Sequence, residues 1–141
     1  MGLGLKRTDL QAYAQAKLDD ATILFQNGRF SNAYYLAGYA VELGLKACIA
    51  AQITAETIPD KAFILKIFQH GFENLIGLAG LTTELKDQKD KDSEFGANWA
   101  IGKEWSPDAR YETRDVTSSK FLITAIAESD SGVLQWIKTH W

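Results

Sequence analysis

The chain has 141 residues, 46% of them hydrophobic and 23% charged, with a net charge of −3. That length suits one globular domain and is short for two, and the apolar fraction excludes a disordered tail. The acidic balance excludes a wholly basic nucleic-acid footprint and leaves room only for a local patch. The single cysteine, Cys48, excludes an intramolecular disulfide framework and a thiolate zinc cage.

Ala and Leu supply 18 and 15 residues, Val only 3 and Pro 2, a balance that favours helices. The first helix is expected over residues 8–27. Thr8 and Gln11 match a capping box at its start. Leu10, Ala14, Ala21, Leu24 and Phe25 share one face. Gly28 tolerates the left-handed conformation that ends a helix. A second helix is expected over residues 31–52, antiparallel to the first because the connection is short. It is apolar nearly all round and should be central. One stripe of it holds small residues: Ala33, Ala37, Ala40, Gly44, Ala47 and Ala51. Another holds Tyr35, Tyr39, Glu42, Lys46 and Ile49, including the only two charges of the helix.

Residues 54–59 read as a loop and 61–69 as a short helix or an extended lead-in. Residues 70–79 are expected to be helical and to end at Gly80; residues 82–91 form another short helix. Residues 86–92 carry six charges in seven positions, summing to zero, and read as a solvated helix end or mobile loop. Residues 95–103 form a short helix. Trp105, Ser106, Pro107 and Asp108 make a loop. A last helix is expected from the hydroxyls at residues 117–119 to residue 139, with Leu122, Ala125, Ile126, Val133, Trp136 and Ile137 inward. No strand alternation and no repeat occur. The expected architecture is therefore all-α, an up-and-down bundle of four or five helices forming one domain over residues 1–141.

The chain's start, residues 1–6, lacks the apolar core of a signal peptide, and Lys6 stands where a myristoylation motif wants Ser or Thr. Residues 33–51 are interrupted by Glu42 and Lys46, so they read as a buried helix rather than a membrane span. The expectation is a cytoplasmic protein with no membrane association.

Phosphate loops, dinucleotide fingerprints, zinc-protease motifs and calcium loops are absent. With two histidines, His70 and His140, neither preceded three residues earlier by Glu, no metal site and no cofactor are expected. Glu42 and Lys46 are four apart in the favourable order for an ion pair. They are either a structural pair at the bundle edge or the polar floor of a groove. Tyr35 and Tyr39 either pack in the core or supply stacking and hydroxyl contacts to that groove. His70 is either a buried imidazole satisfied by backbone or a general acid or base. Cys48 reads as an inert core thiol, and His140 as part of a fraying tail. Arg110, Tyr111, Glu112, Thr113 and Arg114 form the densest polar-aromatic cluster, after Trp99 and Trp105. They could hold a phosphate or a base, or be a loop pinned by Arg to surface acids.

Residues 28–47, GRFSNAYYLAGYAVELGLKA, resemble the signature helix of HEPN (higher eukaryote and prokaryote nucleotide-binding) domains. His70, Leu75 and Ala79-Gly80-Leu81 resemble the next block of that family's bacterial members. Residues 105–111 are similar to a following tryptophan and Arg-Tyr block, and residues 132–137 to a closing helix. The resemblance covers almost the whole chain. It implies an all-helical bundle, usually a homodimer. Many such domains are metal-independent ribonucleases, often toxins paired with a small nucleotidyltransferase; others bind nucleotides, RNA or proteins without catalysis. The ribonuclease signature is Arg, four to six residues, then His. Beyond Arg7, Arg29, Arg110 and Arg114 no His stands at that spacing. The expected function is thus a HEPN-like module that binds a nucleotide, RNA or protein partner without the family's ribonuclease activity. The alternative is a divergent ribonuclease, the toxin of a toxin–antitoxin pair, using His70 with Arg110 or Arg114. The expected ligand site joins Tyr35, Tyr39, Glu42, Lys46, His70, Arg110, Tyr111 and Arg114.

Overall fold

An apolar helix with no polar face can only be stable when surrounded, and helix α2 (Phe30–Ala50) buries thirteen of its 21 residues. In the computed structural model, which describes residues 4–141, every other element packs on or around it. The reading of the chain's start falls partly on residues 1–3, outside the described residues.

Helix α1 (Arg7–Gln26) lies antiparallel to α2, so that Leu10 and Ala14 near its start meet Leu43 and Ala47 near the end of α2. Gly28, at φ +76°, makes the reversal, which an L side chain would strain. The expected capping box does not form. Helix α1 begins at Arg7 with Lys6 as its cap residue, two positions before Thr8. The Gln11 amide instead donates to the backbone carbonyl of Trp141. A partner at the far end of the chain takes the side chain that a local cap would have used. The buried face is Leu10, Ala14, Leu18 and Ala21; Leu24 and Phe25 are less buried.

Two short helices, α3 (Lys61–Ile67) and α4 (Phe72–Leu78), follow the loop after α2. Helix α4 ends at Gly80, again left-handed at φ +71°. The charged run forms a regular exposed helix, α5 (Thr82–Lys91), with Lys86 paired to Asp90 at 3.0 Å. Asp92 then caps α6 (Ser93–Gly102), accepting from the Phe95 N–H at 3.1 Å, and takes the Ser131 hydroxyl at 2.8 Å. These two bonds hold the Asp92 carboxyl below the usual carboxylate range. Pro107–Tyr111 is a 3-10 turn rather than open loop.

The single long helix expected at the end is two. Helix α7 (Val116–Ala127) is capped by Asp115, and α8 (Val133–Lys138) follows a break. The Glu128 carboxylate accepts from the Asp130 and Ser131 N–H groups, turning the chain out of helix. At Gly132 a Cβ would stand 2.2 Å from the Glu128 carbonyl oxygen, so only glycine fits the turn. All six expected inward residues are nonetheless buried, because the break keeps both segments on one face. The chain's end is packed, not fraying: His140 lies edge-on to Trp136, with ring centroids 5.0 Å apart.

Among the described residues the fold is thus all-helical, with no strand, and has eight α-helices where four or five were expected. The expected small-residue stripe is buried from Ala33 to Ala47, while Ala51 lies beyond the helix and is exposed. Gly44 faces Ile137 and Leu134 of α8. No described helix is long and apolar enough to cross a membrane.

Candidate functional site

Glu42 sits in the middle of α2, only 3% exposed. A carboxylate there needs partners, since burying it alone would be very costly. It has two. Lys46, one turn later on the same face, donates to one oxygen at 3.3 Å. His70 Nδ1 lies 3.0 Å from the other and is the donor, because a carboxylate only accepts. The sequence brings His70 there through the turn between α3 and α4, which the Asn74 amide closes by donating to the Lys66 carbonyl at 3.1 Å. The imidazole is therefore not buried on backbone. Its side chain is 53% exposed, its partner is a carboxylate, and among the described residues Nε2 has none.

The phenols extend the same stripe. Tyr35 and Tyr39 are half-buried, with ring centroids 5.9 Å apart. Tyr35 stacks on Trp105 at 6.0 Å, and Trp105 on Phe72 at 5.5 Å and 13°. Trp105 is buried and its indole N–H has no acceptor among the described residues, so packing alone holds it. It rests on the backbone at Gly38, where a Cβ would lie 2.2 Å from the ring. Burial raises the Tyr39 phenol above its ordinary pKa, and the Glu42 charge and Tyr35 add to the rise. The Arg110 charge offsets part of that rise. Lys17 of α1 stands 6.0 Å from the Tyr39 ring.

The cluster of residues 110–114 divides. Arg110 bonds its own Pro107 carbonyl at 3.1 Å and lies 5.3 Å from the Tyr111 ring, which is 81% exposed. Arg114 leaves the expected site. Its guanidinium covers the Tyr34 ring at 4.1 Å and pairs with Glu112 at 2.9 Å, while its backbone N–H donates to Ser31. Tyr34 is one residue from Tyr35 and so about 100° around α2. For Arg114 the pinned-loop alternative is the one observed.

The structure thus joins Tyr35, Tyr39, Glu42, Lys46 and His70, ties Arg110 to Pro107 and to the exposed Tyr111 ring, and takes Arg114 to Tyr34. Sequence reasoning missed Lys17, Phe72 and the packing role of Trp105. The available signal was Gly38, a glycine inside a helix with no turn to make. Among the described residues no group of three or more His, Cys, Asp or Glu side chains could hold a metal ion. Cys48 is buried in the core, and burial pushes its thiol up to about 12. Compared with protein-family models, curated proteins and solved structures, the chain matches none.

Proposed function

We propose that this is a cytoplasmic HEPN-like module that binds a phosphate-bearing aromatic ligand, a nucleotide or a stretch of RNA, along the Tyr35, Tyr39, Glu42 and Lys46 stripe, without the family's ribonuclease chemistry. One observation carries this reading. In a chain of net charge −3, Lys46 and His70 both meet the one buried carboxylate, Glu42, on a stripe whose Tyr39 ring has Lys17 6.0 Å away and whose Tyr39 phenol is eased by the Arg110 charge. A local cationic excess beside phenol rings suits phosphate with a stacking base. The test is binding of labelled AMP and of a short single-stranded RNA. Arg110→Ala weakens binding and lowers its salt slope by about one. Glu42→Gln, which removes the competing carboxylate, shifts affinity the opposite way. Absent binding in the wild type, or identical affinity in both variants, refutes the reading.

A second reading has its own observation. An imidazole tied at Nδ1 to a buried carboxylate, with Nε2 unpartnered among the described residues, is oriented for proton transfer. Under it the protein is a divergent metal-independent ribonuclease, the toxin of a toxin–antitoxin pair with a nucleotidyltransferase partner. Arg110 would be its arginine, since Arg114 is occupied. His70→Ala then abolishes RNA cleavage by highly purified protein; persistent cleavage rejects it. The same resemblance supports a homodimer, which sedimentation equilibrium showing only monomer at micromolar protein would exclude.

A further inference from the structure

On the other side of Lys46 from the phenols, the start of the chain, the end of α2 and the end of α3 enclose a groove of about 700 Å³. Its walls are Leu10, Ile49, Ile53, Ile67 and Phe68, with Leu5 at the rim. Phe68, Leu5 and Ile53 are 66%, 65% and 42% exposed, an apolar surface that water covers poorly. The volume falls within the range of small-molecule clefts. Among the described lining residues Lys46 carries the one charge.

We propose that this groove binds a small amphiphile with an aliphatic tail and a carboxylate head. The tail covers the walls and the head meets Lys46. Three features of Lys46 select the head. Its ammonium has three N–H donors but one protein acceptor among the described residues, Glu42, at 3.3 Å. Its side chain is 13% exposed and lines the groove, so the two other donors are open to a ligand there. Glu42 keeps His70 as a partner when Lys46 turns toward a ligand, so engaging the ligand strands no buried charge. A cationic amphiphile would meet Lys46 as a like charge, and a neutral one would leave its donors unpaired. The inference does not rest on nucleotide binding, although both readings use Lys46.

The probe is sodium decanoate, titrated calorimetrically below its micelle concentration against decyltrimethylammonium. Decanoate binds saturably with one site per chain. Each methylene added from octanoate to decanoate tightens binding about fourfold, the expectation for buried CH₂ groups. Decyltrimethylammonium binds at least about tenfold more weakly. Lys46→Met, which keeps the apolar stem, removes the preference between the two head groups. Phe68→Glu alters an exposed wall position and weakens decanoate at least about tenfold with an unchanged helical spectrum. Equal binding of the two amphiphiles, or decanoate affinity untouched by Phe68→Glu, overturns the proposal. A dimer that Phe68→Glu dissociates also overturns it, since a second copy of the chain would then cover the groove.

Discussion

Gly38→Ala adds one methyl group to the face of α2 beneath Trp105. The new Cβ would stand 2.2 Å from Cγ and Cδ1 of the indole and 2.3 Å from Cδ2. Carbon atoms rest at about 3.5–4.0 Å, so the ring must retreat by about 1.3–1.8 Å. It has nowhere to go. Trp105 is 5% exposed and stacked against Phe72 on one side and Tyr35 on another. A small tilt would cost about 1–3 kcal/mol, but a displacement of this size forfeits the indole's packing, about 3–5 kcal/mol. We expect the larger loss, a substantial part of the ~5–15 kcal/mol that holds a domain folded. Gly77 supplies the control. It lies within α4, and a methyl group added there would meet nothing within 4 Å, so Gly77→Ala should stabilise by about 0.4–1 kcal/mol. Urea unfolding gives both differences, and tryptophan emission should shift to the red only in Gly38→Ala. A Gly38→Ala protein within about 1 kcal/mol of the parent, with unshifted emission, would refute the argument.

Two further expectations follow from titratable groups. With its thiol at about 12, Cys48 is thiolate to the order of 10⁻⁴ at pH 8, so iodoacetamide should label it only after unfolding; labelling of the native protein contradicts its burial. Asp115 accepts from the N–H and hydroxyl of Ser118, bonds that hold its carboxyl below the ordinary aspartate range. A depressed folded-state value contributes stability above the unfolded value, lost as pH falls through the folded one. Asp115→Ala should therefore melt earlier than the parent at neutral pH, with the gap closing in strong acid; a gap that persists in acid counts against the cap.

Local rules recover what is local. Four-residue spacing points to the Glu42–Lys46 pair, and the left-handed stops at Gly28 and Gly80 are legible because glycine alone adopts them without strain. The break between α7 and α8 is not, because Leu122, Ala125, Ile126, Val133, Trp136 and Ile137 keep one inward face across it. A periodic pattern cannot announce an interruption that preserves its phase. The capping box at Thr8 fails for a different reason: the competing acceptor for Gln11 is 130 residues away, outside any local window. Composition groups Arg110 with Arg114, yet the extended backbone that follows the 3-10 turn separates them, Arg110 turning back to the Pro107 carbonyl and Arg114 covering Tyr34 of α2.

The position of His70 shows how distant contacts set the site. Glu42 reaches it directly, by a hydrogen bond between residues 28 apart in sequence. Gly38, one turn before Glu42 on α2, reaches it by packing. The missing Cβ lets Trp105 settle on the helix backbone; Trp105 stacks on Phe72; and Phe72 is the first residue of α4, two residues after His70. The imidazole is therefore fixed from two sides by residues of one helix face, through one polar contact and one chain of aromatic contacts. The polar contact orients the ring, while the turn that carries it is held by the Asn74 amide and by the packing of Phe72, Leu75 and Ile76. The aromatic chain alone would fix the turn and leave the ring to rotate. Together they hold both, which is why a methyl group at Gly38 should disturb His70 even though the two residues need not touch.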